Sequence, residues 1–256
     1  MKPLVIANWK MNPPSLAEAV ELARRVERGI AKVANVEVVL APPFPFLSAV
    51  GRVLSSVKLG AQNVAFAARG AYTGEVGAPM LRDLGVKYVI IGHSERRRMF
   101  HESDELVNQK IRLTLKAGLS PVLAVGEEER ESKEVVPPAI ALELEGALRG
   151  IARHSFRNLI VAYEPVWAIG TGQADTPDNA TRRAIYIRKL LSKRLGFKRA
   201  EHIRILYGGS VTSKNAAAFI ADDIRGMEGL LVGGASLDAE EFVKIVQAVG
   251  RKARRR

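Results

Sequence analysis

The 256-residue sequence has no cysteine. That excludes a disulfide framework and a thiolate metal site, and the four histidines leave little for an imidazole-only cluster, so no metal site is expected. No apolar stretch approaches the roughly 20 residues that span a bilayer. The opening MKPLVIANWKMN has only a short apolar run, which soon meets Asn8, Trp9 and Lys10 without a cleavage site of small residues behind it. Neither a membrane partner nor a secretory leader is expected, and a cytoplasmic enzyme fits. A Pro/Gly/Ser linker and a break in composition are also missing, which points to one domain over residues 1–256.

What is abundant is positive charge. Lys and Arg number 39 against 27 Asp and Glu, a formal net charge of +12, and the basic tail 251–256 reads Arg-Lys-Ala-Arg-Arg-Arg. Such a field attracts nucleic acid, an anionic membrane or a small anionic substrate alike. No aromatic-interleaved basic segment or helix-turn-helix pattern accompanies it, so no specific nucleic-acid partner is expected and most of the charge reads as a solvated face.

With 47% hydrophobic residues the chain can bury a large core. Short apolar runs at 4–7, 36–41, 57–60, 88–91, 121–125, 159–163, 203–207 and 229–232 alternate with amphipathic segments of helical period. Ser15 with Glu18 and Asp238 with Glu241 have capping-box spacing, and Pro177 follows Thr176 as a first-turn proline. Gly118 and Gly196 stand where helices should stop. Strands that are apolar throughout, each followed by a helix, imply a parallel sheet covered on its outer face. Eight such units can close into a (β/α)8 barrel. A doubly wound dinucleotide fold would carry G-x-G-x-x-G after the first strand, but residues 8–14 contain no glycine.

In such a barrel the chemistry gathers at the C-terminal ends of the strands. Asn8 and Lys10 follow the first run, Gly92-His93-Ser94-Glu95-Arg96-Arg97 the fourth and Glu164-Pro165 the sixth. Gly170-Thr171-Gly172, Gly208-Gly209-Ser210 and Gly233-Gly234 supply turns whose backbone N–H groups can approach an anion, as a phosphate cradle does. Each feature alone has a bland reading as a surface charge or a turn. Their joint placement at several strand ends favours a site with a base, an acid and a cation.

These residues resemble the triosephosphate isomerase family. The resemblance is carried by Ala7-Asn8-Trp9-Lys10-Met11-Asn12, Gly92-His93-Ser94-Glu95-Arg96-Arg97, the eleven residues 162–172, Tyr207-Gly208-Gly209-Ser210-Val211 and residues 231–237, in the family's order and nearly end to end. It implies an aldose-ketose isomerase of glycolysis and gluconeogenesis that needs no cofactor. Glu164 would be the base and His93 the electrophile, acting as neutral imidazole at a helix start, a case for which this family is itself the standard example. Lys10 would supply positive charge and Asn8 would hold the substrate. Gly170, Ser210, Gly233 and Gly234 would grip its phosphate, and Glu95 would orient its neighbours. Residues 165–171 correspond to a closing lid, and residues 70–75 to a dimer loop with Thr73 as its probe. A homodimer is implied, with a tetramer as the alternative.

Three positions depart from the family's pattern. Ala124 stands where a cysteine is usual, Gly77 where a serine is usual, and the segment before Val136-Pro137-Pro138 is slightly shortened. None touches the expected chemistry. A different phosphate-binding barrel enzyme would share the glycine cradle, and the set of Asn8, Lys10, His93 and Glu164 disfavours it.

Overall fold

A computed structural model describes residues 1–130, 137–221 and 226–254. Eight parallel strands, β1 (Leu4–Asn8), β2 (Glu37–Ala41), β3 (Lys58–Ala61), β4 (Tyr88–Ile91), β5 (Ser120–Glu127), β6 (Ile160–Pro165), β7 (Arg204–Tyr207) and β8 (Gly229–Val232), pair in sequence order. Pairing of β8 with β1 at Leu4–Gly229 closes the barrel. The expected TIM-barrel architecture is therefore present, with each strand within two residues of its expected ends.

The apolar runs are continuous because each strand packs on both faces. Leu4 and Ile6 point into the barrel with Val39, Ala41, Ile90, Val122, Ile160, Ala162, Leu206 and Leu231. Val5, Ala7, Val38, Leu40, Val89, Ile91, Val161, Tyr163, Ile205 and Tyr207 belong to the outer shell, which the helices cover. The alternation of period two is thus present in space although both phases are apolar in sequence.

The surrounding helices are α1 (Leu16–Ile30), α2 (Leu47–Gly51), α3 (Ala78–Asp83), α4 (Ser94–Phe100), α5 (Asp104–Lys116), α6 (Pro138–Leu148), α7 (Pro177–Leu195), α8 (Phe197–Ala200), α9 (Ala216–Phe219) and α10 (Ala239–Ala253). At Ser15 the hydroxyl accepts the Glu18 N–H and donates to the Glu18 carboxylate at 2.7 Å. Asp238 caps α10 by accepting from the N–H groups of Glu240 and Glu241. Its expected box is only half formed, because the Glu241 carboxylate turns away to accept from the N–H and hydroxyl of Ser213. Thr176 caps α7 with Pro177 in the first turn. Gly118 and Gly196 end α5 and α7 at φ 76° and 87°, which a residue with a Cβ adopts only with strain.

The departures from the family pattern sit quietly. Ala124 is buried in β5 opposite Ala162. Gly77 precedes α3, and a Cβ there would lie 2.5 Å from the Ala68 carbonyl oxygen, so the close backbone approach accounts for glycine. Pro137 caps α6 and Pro138 opens it, while Val136 lies outside the described residues. Of the basic tail, residues 251–253 complete α10 and Arg254 caps it; Arg255 and Arg256 lie outside the described residues.

Candidate active site

At the C-terminal mouth of the barrel lies a pocket of about 280 Å³. Asn8 from β1, His93 after β4, Glu164 from β6, Gly208-Gly209-Ser210 after β7 and Gly233-Gly234 after β8 all line it, together with Lys10, Gly170 and Gly172. The ends of β1, β4, β6, β7 and β8 and the turns after them meet here. Asn8, Lys10, His93, Glu164, Gly170, Ser210, Gly233 and Gly234, expected as one site, are in one pocket.

Lys10 has a left-handed backbone, φ 54°, unusual for a residue with a long side chain. Two contacts fix it: its N–H donates to Asn8 Oδ1 at 3.1 Å, and its carbonyl accepts from Gln62 Nε2 at 2.8 Å. The Gln62 amide also donates to the Ala41 carbonyl at 2.8 Å, so it fastens the Lys10 loop to the end of β2. The ammonium meets Glu95 Oε1 at 2.5 Å. Burial raises the Glu95 carboxyl, but the Lys10 hydrogen bond and the surrounding positive charge outweigh it and hold the group below the usual carboxylate range.

His93 caps α4, with its Nδ1 accepting the Glu95 N–H at 3.2 Å. A nitrogen that accepts carries no proton, so the hydrogen-bond pattern assigns a neutral ring with its proton on Nε2. Nε2 lies 3.2 Å from Glu164 Oε1, and Glu164 is 1% exposed. The other oxygen, Oε2, accepts from the Ser94 N–H at 3.0 Å, at the start of α4. Oε1 has no aligned donor despite its nearness to Nε2. The Glu164 carboxylate is therefore parked against the first turn of α4, and half of its acceptor capacity is unused.

Beyond Pro165 the chain makes a short 3-10 turn, Val166–Ala168, then Ile169 and Gly170 at φ 72°. Trp167 Nε1 donates to Glu127 at 3.2 Å, and the Arg130 guanidinium sits over the indole ring. The Ser210 hydroxyl donates to the Ala168 carbonyl at 2.7 Å, and Tyr207 accepts the Asp175 N–H at 2.9 Å, so the middle of the expected lid and the segment after it are tied to the end of β7 and its following turn. Burial raises the carboxyls of both Glu127 and Asp175.

The family model described as Triosephosphate isomerase matches residues 3–249. The chain belongs to the triosephosphate isomerase family. Proteins named Triosephosphate isomerase from Carboxydothermus hydrogenoformans and Alkaliphilus oremlandii are 46% and 44% identical to it, over 96% of this chain and 98% of theirs. One of the same name from Aquifex aeolicus is 44% identical over 96% of this chain and 99% of its own.

Relative to the family's pattern, sequence reasoning missed residues that act through backbone atoms. Gln62 reaches a carbonyl 52 positions away. Asn215 supports the Ser210 loop by donating to its carbonyl at 3.3 Å, and no local pattern marks either residue. The expected dimer loop is exposed throughout residues 68–75, including Thr73, with Tyr72 edge-on to Phe66 at 4.9 Å. Among the described residues no helix is long and apolar enough to cross a membrane.

Proposed function

We infer that the chain interconverts dihydroxyacetone phosphate and D-glyceraldehyde 3-phosphate. The observation that carries this is the facing pair: a buried carboxylate, Glu164, lies 3.2 Å from the Nε2 of a histidine whose other nitrogen is occupied as an acceptor. Glu164 turns from Ser94 toward the pocket and takes a proton from the carbon beside the carbonyl. The electron pair of that C–H bond forms a carbon–carbon double bond and the carbonyl π pair moves onto the oxygen, giving an enediolate. His93 donates Nε2–H to that oxygen and moves the proton between the two oxygens, while Glu164 returns its proton to the neighbouring carbon.

Lys10 and Asn8 stabilise the developing negative charge, and fixed charge acts more strongly once water is excluded. Glu95 orients Lys10 and His93. Gly170, Ser210, Gly233 and Gly234 hold the phosphate, so binding energy from the unreacting end favours closure of the 165–171 lid. Lid closure as a device for excluding water is a behaviour for which this family is the standard example. No cofactor enters any step.

The reading extends to a homodimer. Met11, Phe66, Tyr72, Met80, Met99 and Phe100 are exposed apolar side chains in the Lys10 loop, the 68–75 loop and the segment just before it, α3 and α4. Burying them against a second copy would support both the Thr73 loop and the Lys10 loop. A soluble cytoplasmic enzyme accords with this chemistry.

The test is isomerisation of glyceraldehyde 3-phosphate, coupled to a dehydrogenase that consumes the product. Glu164→Asp is expected to lower kcat by roughly 100-fold or more with little change in KM, because the shortened side chain misplaces the proton acceptor by about 1 Å. Wild-type activity near zero would overturn the substrate assignment.

A further inference from the structure

We propose that Glu143, on α6, is a positioning residue for this isomerisation, a clamp that joins the strand ends bearing Glu164 and His93 and loosens when it gains a proton. The proposal rests on the functional reading above.

Glu143 is mostly buried, its side chain 22% exposed, behind the site rather than in it. One oxygen, Oε2, accepts the Gly126 N–H at 2.9 Å. Gly126 lies directly opposite Glu164 in the β5–β6 ladder, so closely that a Cβ there would fall 1.7 Å from the Glu164 carbonyl oxygen. Any shift of Gly126 is therefore passed to the backbone of the base. The other oxygen, Oε1, lies 3.5 Å from Arg97 Nε. That nitrogen donates to the Gly92 carbonyl at 2.9 Å, and Gly92 has φ 71° immediately before His93. One carboxylate thus reaches the base through Gly126 and the electrophile through Arg97 and Gly92.

The groups facing Glu143 explain why its charge is labile. Arg97 on α4 attracts the carboxylate, while Asp104 at the start of α5 and Glu164 on β6 repel it, and Arg97 is shared because its Nη1 already donates to Asp104 at 2.7 Å. Burial, the largest influence, pushes the Glu143 carboxyl up to about 7. Below that pH the protonated group keeps a carbonyl oxygen for Gly126 but loses its hold on Arg97. The main reaction does not use Glu143 as an acid or a base, since neither oxygen lines the pocket.

Glu143→Gln separates these effects, because the amide keeps the shape and the acceptor for Gly126 and lacks the charge. The expected result is a variant whose kcat is lower by roughly 10-fold at pH 8 with KM within twofold. Its kcat/KM should change less than that of the wild type between pH 8 and 6, the two converging at pH 6. Titration of the substrate phosphate is common to both proteins and cancels in the comparison. With glutamate labelled at the carboxyl carbon, carbon-13 spectra of the wild type should contain a resonance with a midpoint near 7 that is missing in the variant. Superimposable pH profiles with kcat within twofold, or the absence of that resonance from the wild type, overturn the proposal. An inactive wild type would sink the functional reading instead, and the Glu143 resonance would still decide whether its carboxylate changes charge near pH 7.

Discussion

The backbone of Lys10 illustrates how much of this site depends on single contacts. A left-handed lysine costs on the order of 1 kcal/mol, and it persists because Asn8 and Gln62 hold its two peptide groups. Gln62→Ala removes two hydrogen bonds at once, to Lys10 and to Ala41. It should lower kcat/KM by roughly 10-fold, more than its thermal destabilisation accounts for, because the ammonium no longer rests at a fixed distance from the reacting oxygen; an unchanged kcat/KM would show that the loop holds itself. Gly208 offers a second probe, since a Cβ there would sit 3.0 Å from Glu164 Cγ and 3.2 Å from the Tyr163 carbonyl. Gly208→Ala should depress kcat with a smaller change in KM, and steady-state kinetics separate the two. The ligating polar residues Asn8, His93 and Glu164 were legible because each directly follows or ends an apolar run. Gln62 and Glu143 were not, because their partners are backbone groups or an arginine brought near only by closure of the barrel, and Asn215 was not, because its partner is the Ser210 backbone carbonyl, which no side-chain pattern marks.

Among elements, the boundaries that moved most are informative. The β5 and β6 strands extend past the expected 125 and 163 to Glu127 and Pro165, where Gly126 pairs with Glu164 and Glu127 with Pro165. Apolar periodicity stops at the site while the ladder continues, so a strand that carries catalytic residues looks shorter in sequence than it is. The helix starts were legible wherever a cap and its partner lie within one turn, as at Ser15 and Thr176, and less so at Asp238, where Glu241 is taken by Ser213. A longer connection joins α1 to β3. Glu27 on α1 accepts from the hydroxyls of Ser55 and Ser56 and from the N–H groups of Ser56 and Val57. Burial opposes its charge, yet those four donors outweigh burial and draw the carboxyl down to about 2. The sign follows from a lowered folded-state value: the stabilisation is complete above the ordinary value of 4.5 and is lost as pH falls toward about 2. Glu27→Gln should therefore lower Tm by about 2 °C at pH 7, discounted for exposure, with the difference narrowing below pH 4.5 in thermal scans.

At the scale of the molecule two properties remain to be tied to function, the net charge of +12 and the apolar surface around the 68–75 loop. A positive field accelerates encounter with a doubly charged substrate, so kcat/KM should fall with ionic strength while kcat holds; a flat response to salt would reduce the charge to a solvated face. The apolar surface makes the sharper demand. Met11, Met80, Met99 and Phe100 are more than half exposed, in three segments, the Lys10 loop, α3 and α4. If a second copy covers them, Thr73 at the exposed turn enters that copy, and a charge there must be buried without a partner. Thr73→Arg should then shift the protein from dimer to monomer in sedimentation at micromolar concentration. Activity should fall with it, because the Lys10 and His93 segments lose the surface that braces them, and should become dependent on protein concentration. The loss should arise first in the Lys10 and His93 segments and reach Glu164 through its contacts with Ser94 and His93. A variant that stays dimeric, or a monomer with full kcat/KM, would show that the barrel completes its site alone.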